Sequence, residues 1–378
     1  MHHLNHASWG AVPVEIQQRQ VEWRRRWEAS TTAFVLGELP EAMGVARAAL
    51  ARFLTASPES IAFVRNATTA IASVVRSVEP WLEPGDEIVT TSQDYNGVRQ
   101  TLEFTAARLG ATVVVASVPF PLDGPETITT AVLDAVSDKT RLVVVDHITS
   151  PTAVIYPIED IVAALEPEVP VLVDGAHGPG QVPLALEGIG ASWYAGNLHK
   201  WVCAPKGAAF LHTRADRLEQ TFPVVVSHGW NTASPGARYR ALFDWVGTDD
   251  FSSWLVLPDL LELLGGLEPD GWSGLMERNH RLALAARGVL AAAMQAVPPV
   301  PEEMIGAMVA LELSDAQGAD PGGMDSPLTG ELIAAGFEAP VMIWPLWPRQ
   351  VLRVSAHHYN TIDEYEELAR VLGHMLGR

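Results

Sequence analysis

The sequence predicts an α/β protein in which a large domain with a mostly parallel sheet precedes a smaller α+β domain. Between residues 61 and 211, short apolar runs alternate with segments of helical periodicity, which is typical of strand–helix–strand units. Several of these runs are apolar throughout, as expected of strands that are covered on both faces. After Gly247 the pattern changes to longer helical segments and then to three strand-like segments.

The individual elements follow from local patterns. Residues 2–13 are polar and irregular, whereas Trp23 and Trp27 mark one face of a charged helix at 14–29. A second helix is predicted at 43–54. Helices at 68–78, 98–109, 128–136 and 158–165 are predicted to separate strands at 61–64, 87–90, 112–118, 142–145, 169–174, 192–195 and 208–211. Helices at 255–267, 275–294 and 362–376 and strands at 307–313, 341–343 and 351–355 complete the chain. We therefore predict an N-terminal segment (1–13), a large domain (14–257) and a small domain (258–378).

Composition limits the possible partners. The 378 residues carry a formal net charge of −20 and one cysteine, Cys203. An acidic chain repels the phosphate backbone, so no nucleic-acid partner is expected. No apolar stretch reaches membrane-spanning length and no charged-then-apolar leader precedes the first helix, so cytoplasmic residence without membrane contact is the default expectation. A single cysteine excludes an internal disulfide and a cysteine-based metal cage.

Three lysines occur in the chain: Lys139, Lys200 and Lys206. Lys200 lies in the sequence GNLHKW at 196–201, after a predicted strand that ends at Asp174. Pyridoxal phosphate (PLP) needs an amine for its aldehyde and an anion beside its ring nitrogen. Lys139 is expected at the surface, and the Pro-Lys-Gly sequence around Lys206 is typical of an exposed turn or a backbone ligand loop, so both are weaker candidates for the cofactor amine. PLP is therefore the predicted cofactor, with Lys200 as its amine and Asp174 as its anion.

These segments also have simpler interpretations. Asp174 alone could cap the segment that follows it. The sequence NATTA at 66–70 could present Thr68, Thr69 and backbone N–H groups to a phosphate, or it could contain a threonine helix cap. Tyr95 could stack on the cofactor ring or could simply pack in a loop.

Signatures of other chemistries are missing or weak. The sequence GAHGPG at 175–180 does not match the dinucleotide fingerprint GxGxxG, and no Walker loop, HExxH or GxSxG motif occurs. His2, His3 and His6 could hold a metal or be unstructured; we favour an unstructured segment and expect no metal. The glutamate pair at 302–303 and the histidine pair at 357–358 are predicted to be surface and loop residues.

Several motifs resemble those of class V aminotransferase-type PLP enzymes. The likeness is carried by DGAH at 174–177, GNLHKW at 196–201 and APKG at 204–207. The sequences LNHASWGAVP at 4–13, GTD at 247–249 and LRVS at 352–355 resemble the isopenicillin N epimerase-like branch. The resemblance implies the aspartate aminotransferase-like fold (fold type I) and a homodimer in which each active site is built from two chains.

By position, the resemblance implies a role for each matching residue. Lys200 would carry the cofactor, Asp174 would contact the pyridine nitrogen, and His177 would bond the phenolic oxygen. Tyr95 would stack on the cofactor ring, and Ser150 would lie near the phenolic oxygen. The phosphate would be bound by Thr68, Thr69, Asn197 and His199, together with Thr248 of the neighbouring subunit. Arg353 would bind the substrate carboxylate, a task that suits a guanidinium group, with Asn5 as a second substrate-binding residue.

The implied chemistry begins with removal of the α-proton of an amino acid by Lys200. The chain could then act as a Cβ–S lyase on a cysteine-type substrate, as an epimerase, as an aminotransferase or as a decarboxylating deaminase. We favour the lyase, in specialised metabolism. A non-catalytic PLP-binding regulator is disfavoured, because such regulators usually carry a fused DNA-binding domain and this acidic chain is not expected to have room for one. An NAD-dependent oxidoreductase is disfavoured because the glycine fingerprint is missing.

Cysteine placement separates this chain from one group of relatives. Cysteine desulfurases use a cysteine close before the C-terminal arginine, and this chain has none after Cys203. Persulfide chemistry on the protein is therefore not expected. Cys203 is predicted to be a core residue near the site.

Overall fold

A seven-stranded sheet forms the centre of the large domain in the computed structural model, which describes residues 1–231 and 238–377. The described ranges contain twelve strands, of which seven form this sheet. They are β1 (His2–His3), β2 (Ile61–Val64), β3 (Glu87–Thr91), β4 (Thr112–Ala116), β5 (Thr140–Asp146), β6 (Val171–Gly175), β7 (Trp193–Asn197), β8 (Ala209–Thr213), β9 (Met308–Glu312), β10 (Phe337–Glu338), β11 (Val341–Ile343) and β12 (Gln350–Ser355). The order in the large sheet is β2-β8-β7-β6-β5-β3-β4. Strand β8 runs antiparallel to both of its neighbours, and the other pairs are parallel.

Helices pack on the large sheet and complete the small domain. They are α1 (Val14–Ala29), α2 (Thr31–Ala33), α3 (Leu39–Phe53), α4 (Ala67–Val78), α5 (Asn96–Leu109), α6 (Glu126–Asp134), α7 (Ile158–Leu165), α8 (Leu186–Ile189), α9 (Arg238–Asp244), α10 (Ser252–Leu255), α11 (Leu257–Gly265), α12 (Gly271–Met294), α13 (Pro327–Ala334) and α14 (Ile362–Met375). A π-helical turn, Phe34–Glu38, joins α2 to α3. Within the described ranges, no helix combines the length and the apolar character needed to cross a bilayer.

The central strands are buried on both faces, as their apolar sequences predict. Successive side chains of a strand point to opposite faces. Val143 therefore belongs to one apolar core and Val144 to the other. Asp146 lies on the same face of β5 as Val144, which is the face covered by α4 and α5. Asp174 is paired in register with Asp146, so both acids lie on this face at the carboxyl edge of the sheet, where ligands bind in open α/β folds.

The small domain contains an antiparallel sheet in the order β11-β12-β9. Helices α12 and α14 pack against each other, and α12 also packs on β9. Helix α11 packs on α3 of the preceding domain, so the boundary near residue 258 stays a prediction. The predicted arrangement of an α/β domain followed by an α+β domain is confirmed.

The N-terminal segment is more ordered than its sequence indicates. His2 and His3 form β1, which pairs in parallel with β10, and the side chain of Leu4 is fully buried. The prediction of an irregular, unstructured start was therefore wrong for these residues. Two polar side chains give no apolar period, and the strand is formed by pairing with a partner more than 300 residues later.

Candidate active site

Lys200 lies in the turn between β7 and β8, at the carboxyl edge of the large sheet. Its Nζ is 3.1 Å from Nε2 of His177. Burial lowers the pKa of Lys200 to about 7; Arg353 adds to this decrease, and Asp174 opposes it. About half of the Lys200 amine is therefore neutral, and hence nucleophilic, at neutral pH.

This pKa predicts how the apoprotein captures an aldehyde. The rate at which PLP bonds to Lys200 should rise about tenfold per pH unit below pH 7 and level off above pH 8, because only the neutral amine reacts. Stopped-flow absorbance of apoprotein mixed with PLP measures this rate. A rate that still rises steeply between pH 8 and pH 9.5 would show that the amine has an ordinary lysine pKa.

Asp174 is buried and is the second-last residue of β6. Its Oδ1 accepts a hydrogen bond from the backbone N–H of Ala176 at 2.9 Å. Burial raises the pKa of Asp174, whereas the Ala176 bond and Lys200 lower it. The capping interpretation and the cofactor interpretation are thus compatible, since one oxygen stabilises the turn and the other is left for a ligand.

His177 presents one ring nitrogen to Lys200 and has a second one without a partner. The ring is buried, and no hydrogen bond reaches Nδ1 in the described part of the chain. Burial, followed by the charge of Lys200, holds the pKa of His177 well below its usual value. A neutral imidazole with an unpaired buried nitrogen suits a polar ligand, because such a nitrogen is costly to leave unpaired.

Two glycines of the DGAHG sequence are explained by Tyr194, a residue that sequence reasoning missed. A Cβ on Gly175 would lie 2.0 Å from the Tyr194 ring, and a Cβ on Gly178 would lie 2.1 Å from its hydroxyl. That hydroxyl is 2.8 Å from Nδ1 of His147. The buried Tyr194–His147 pair therefore supports the turn that carries His177.

The candidate phosphate-binding turn is capped by Asn66. Its Oδ1 accepts hydrogen bonds from N and Oγ1 of Thr69, at 2.8 and 3.0 Å. The threonine-cap interpretation was therefore wrong. Asn197 lies against the same turn, because its Oδ1 accepts from the backbone N–H of Ala67 at 2.9 Å. Thr68 is exposed in the first turn of α4, where a helix start favours an anion.

His199 stands next to the lysine turn, with Nδ1 at 3.2 Å from the carbonyl oxygen of Ala208. Burial lowers the pKa of His199 to about 4, and Lys200 adds to this effect. With Nδ1 donating to a carbonyl, the neutral ring has no proton on Nε2. Contact with a phosphate would require the doubly protonated ring, which a nearby dianion favours.

Arg353, on β12, is buried beside four neutral oxygen atoms. Its Nη1 donates to the carbonyl oxygen and Oγ of Ser150 at 2.6 and 3.1 Å. Its Nη2 lies 3.4 Å from Oδ1 of Asn5 and 3.3 Å from Oγ of Ser8. Burial lowers the pKa of Arg353 to about 10. Among the residues described, no acid forms an ion pair with this guanidinium, and its Nε has no partner. A carboxylate ligand would balance the charge.

Two predicted cofactor contacts lie at the surface of this chain. Tyr95 is 40% exposed at the start of α5 and packs against Gly97. Thr248 is also exposed, and the neighbouring Asp249 forms an ion pair with Arg65. Their predicted roles, like those of Ser150 and the phosphate-binding residues, stay predictions.

The histidines that were predicted to be peripheral form a buried cluster. His6 and His357 stack at 4.6 Å between ring centres, and Sγ of Cys203 is 3.6 Å from Nε2 of His357. The predictions of an unstructured His6 and a loop-exposed His357 were therefore wrong. The two imidazoles lie at 18° to each other, and the ligand atoms of His6, Cys203 and His357 all lie within 4.8 Å of one another. Burial raises the pKa of the Cys203 thiol to about 12.

Comparisons with known proteins agree with this geometry. The family model for "Aminotransferase class-V" matches residues 29–368. A putative L-cysteine desulfhydrase 1 from Oryza sativa subsp. japonica is 34% identical over 333 residues, which cover 84% of this chain and 68% of that protein. The isopenicillin N epimerase of Amycolatopsis lactamdurans is 33% identical over 384 residues, with 98% and 94% covered.

Solved structures share the whole fold. The complex between the cystine C-S lyase C-DES and its reaction product cysteine persulfide has a TM-score of 0.81 at 20% identity, covering 98% of this chain and 97% of that chain. A cysteine desulfurase CsdA from Escherichia coli has a TM-score of 0.79 at 18% identity, covering 99% and 94%. These likenesses confirm the predicted fold type I architecture.

Proposed function

Because the chain belongs to the class V aminotransferase family, whose cofactor is PLP, we propose that it is a Cβ–S lyase that acts on a cysteine-type amino acid. One observation carries the proposal. The amine of Lys200, with a pKa of about 7, lies 3.1 Å from Nε2 of His177, and the charges of Asp174 and Arg353 act on it. A base and a carboxylate-binding group are the two parts that α-proton removal from an amino acid needs.

The cofactor, when bound, supplies an electron sink for negative charge at the α-carbon. Asp174 would hold the proton of the ring nitrogen, and Lys200 would hold the aldehyde carbon. Asn197 directs its Oδ1 to Ala67, which leaves its amide NH₂ to donate to a phosphate. The remaining contacts proposed for the cofactor are His177 and Ser150 near the phenolic oxygen, Tyr95 against the ring, and Thr68, Thr69 and His199 around the phosphate.

The substrate carboxylate would lie on Arg353, in place of its long contacts with Asn5 and Ser8. Lys200 would then take the proton from the α-carbon. The carbon–sulfur bond then breaks, the sulfur leaves with its bonding electrons and is protonated, and water releases the rest as an α-keto acid and ammonia. The thiol of Cys203 is 1% exposed and has a raised pKa. It is therefore a poor sulfur acceptor, so sulfur would leave as a free thiol.

An amino acid epimerase is the second candidate. It is favoured by the similarity to the Amycolatopsis lactamdurans epimerase, which extends over nearly the full length of both chains. An epimerase would use the same proton removal by Lys200, but a proton would return to the opposite face of the α-carbon. An aminotransferase and a decarboxylating deaminase would also start from this arrangement.

We also propose that two copies of the chain form a homodimer, in which Thr248 of one copy reaches the phosphate site of the other. Val225 and Val246 are exposed on the surface near Gly247. A cluster of exposed apolar side chains is typical of a protein–protein contact. A second copy of the chain would cover this surface and account for the exposure of Thr248.

The reaction is tested with holoprotein, L-cysteine, S-alkyl cysteines and single enantiomers of sulfur-free amino acids, in D₂O. We expect equal amounts of pyruvate, ammonia and thiol from the cysteine-type substrates, and Cys203→Ala should keep this stoichiometry. Exchange of the α-hydrogen with loss of optical activity but without pyruvate would favour the epimerase. A persulfide on Cys203 would contradict free thiol release.

Replacing Arg353 with lysine should weaken substrate binding with little change in cofactor absorbance. A lysine cannot form the bidentate carboxylate contact, so KM should rise about tenfold or more. Steady-state kinetics measure this change. Arg349→Lys is the matched control, because Arg349 lies just before the same strand but is half-exposed and paired with Glu312. An unchanged KM in Arg353→Lys would contradict the assignment.

A further inference from the structure

Asp146 is a buried carboxyl group that the proposed chemistry does not use. It is the last residue of β5, it pairs in register with Asp174, and each side chain is 4% exposed. Backbones of neighbouring strands lie about 4.8 Å apart, and paired residues share one face of the sheet. The two carboxyl groups therefore lie side by side.

The surroundings of Asp146 supply little positive charge. Burial, Asp174 and Asp94 all raise the pKa of Asp146, whereas Lys200 and a hydrogen bond from the residue's own backbone N–H lower it. Asp94 is itself neutralised by Arg99, through contacts of 2.9 and 3.0 Å. Throughout the described ranges, no arginine or lysine forms an ion pair with Asp146.

A neutral phenol lies close enough to Asp146 for the charge of the acid to act on it. The hydroxyl of Tyr156 is buried without a hydrogen-bond partner, and burial and the neighbouring acids raise its pKa well above the usual value. Asp174 receives one backbone donor, from Ala176, at Oδ1. Besides the ring nitrogen of the proposed cofactor, a further donor to its carboxylate would have to come from a neighbouring side chain. Asp146, in register beside it, is placed to supply that donor.

We propose that Asp146 is a positioning residue that stays protonated and donates a hydrogen bond to Asp174, so that Asp174 stays ionised for the cofactor ring nitrogen. Two buried carboxyl groups that share one site do not both ionise at neutral pH. The group that meets the pyridinium keeps the charge, because the opposite charge offsets its desolvation. This inference rests on the proposed cofactor site, since the ring nitrogen decides which of the two acids ionises.

The test compares Asp146→Asn with the wild-type holoprotein. Asparagine keeps the shape and an N–H donor but has no charge, as a protonated aspartic acid has none. The visible absorbance of bound PLP is titrated with pH, which measures the proton equilibrium at Lys200. We expect the apparent pKa of Asp146→Asn to lie within about 0.3 pH unit of the wild-type value. If Asp146 were ionised, the loss of its charge would lower this pKa by about one unit, and the proposal would be overturned.

A second variant tests the donor. Asp146→Leu has a similar volume and no N–H or O–H group, and it should release PLP about tenfold more readily on dialysis, because a hydrogen bond to a charged group is lost. PLP retention equal to that of the wild type would also overturn the proposal. Circular dichroism checks folding, and if the leucine variant does not fold, the asparagine titration decides alone. Failure of the wild-type protein to bind PLP would instead refute the proposed function itself.

Discussion

Lys200→Ala should lose the covalent bond to PLP and nearly all turnover. We expect the rate of substrate consumption to fall at least about a thousandfold, since a positioned general base contributes about 10²–10⁴-fold and this residue also anchors the cofactor. Borohydride reduction of the wild-type holoprotein followed by peptide mass spectrometry should locate the pyridoxyl group on residue 200. The variant should hold PLP, if at all, as the free aldehyde.

The two other lysines provide matched controls. Lys139 is exposed, and Lys139→Ala should behave as the wild type. Lys206 is the rival amine, but its side chain is exposed and its Nζ donates to the carbonyl oxygen of Gly10 at 2.8 Å. A pyridoxyl group on Lys206 after reduction, or a Lys200→Ala variant with more than one tenth of the wild-type rate, would refute the assignment.

Asp174→Ala should bind PLP aldehyde but lose most of the catalytic rate. Without the carboxylate, the ring nitrogen loses its proton and the cofactor loses its ability to accept electrons from the α-carbon. Losing one group that stabilises charge in the transition state typically costs about 10²–10³-fold in kcat, so a fall of about this size is expected. Single-turnover kinetics with deuterated substrate measure the proton-removal step directly.

The control for this variant is Asp134→Ala, which removes an exposed acid at the end of α6. A second comparison uses N-methyl-PLP, which carries a fixed positive charge on the ring nitrogen. If Asp174 acts by keeping that nitrogen charged, this analogue should restore part of the rate in Asp174→Ala. Near-normal turnover of Asp174→Ala with ordinary PLP would rule out the role.

Local sequence patterns were sufficient for the central sheet and for the lysine turn. The strand before Asp174 is apolar throughout because it is buried on both faces, and its end carries the acid to the ligand-binding edge. The helix at 14–29 begins and ends where its amphipathic pattern does. Short or weakly patterned elements such as α9 and α13 were not predicted, because tertiary packing and not local periodicity determines them.

Contacts between distant parts of the chain could not be predicted. Nothing in the local sequence indicates that His6 packs on His357, or that Asn5 and Ser8 contact Arg353. Asp146 lies just beyond the predicted strand at 142–145 and was not singled out, because its importance depends on the register of β5 with β6. The glycines before and after His177 did carry a signal, since a large neighbour such as Tyr194 explains their lack of a side chain.

The first ten residues contact both the small domain and the turn that carries Lys200. Strand β1 pairs with β10 of the small domain. At the other end of the segment, the N–H of Gly10 donates to the carbonyl oxygen of His199 at 2.8 Å. A Cβ at Gly10 would lie 2.0 Å from the carbonyl oxygen of Lys200, so the backbone approach is close. Proteolytic trimming of this segment would therefore disturb amino acid recognition and cofactor attachment together. A change at Gly10 would therefore be felt at the lysine turn, although the two lie almost 200 positions apart in the sequence.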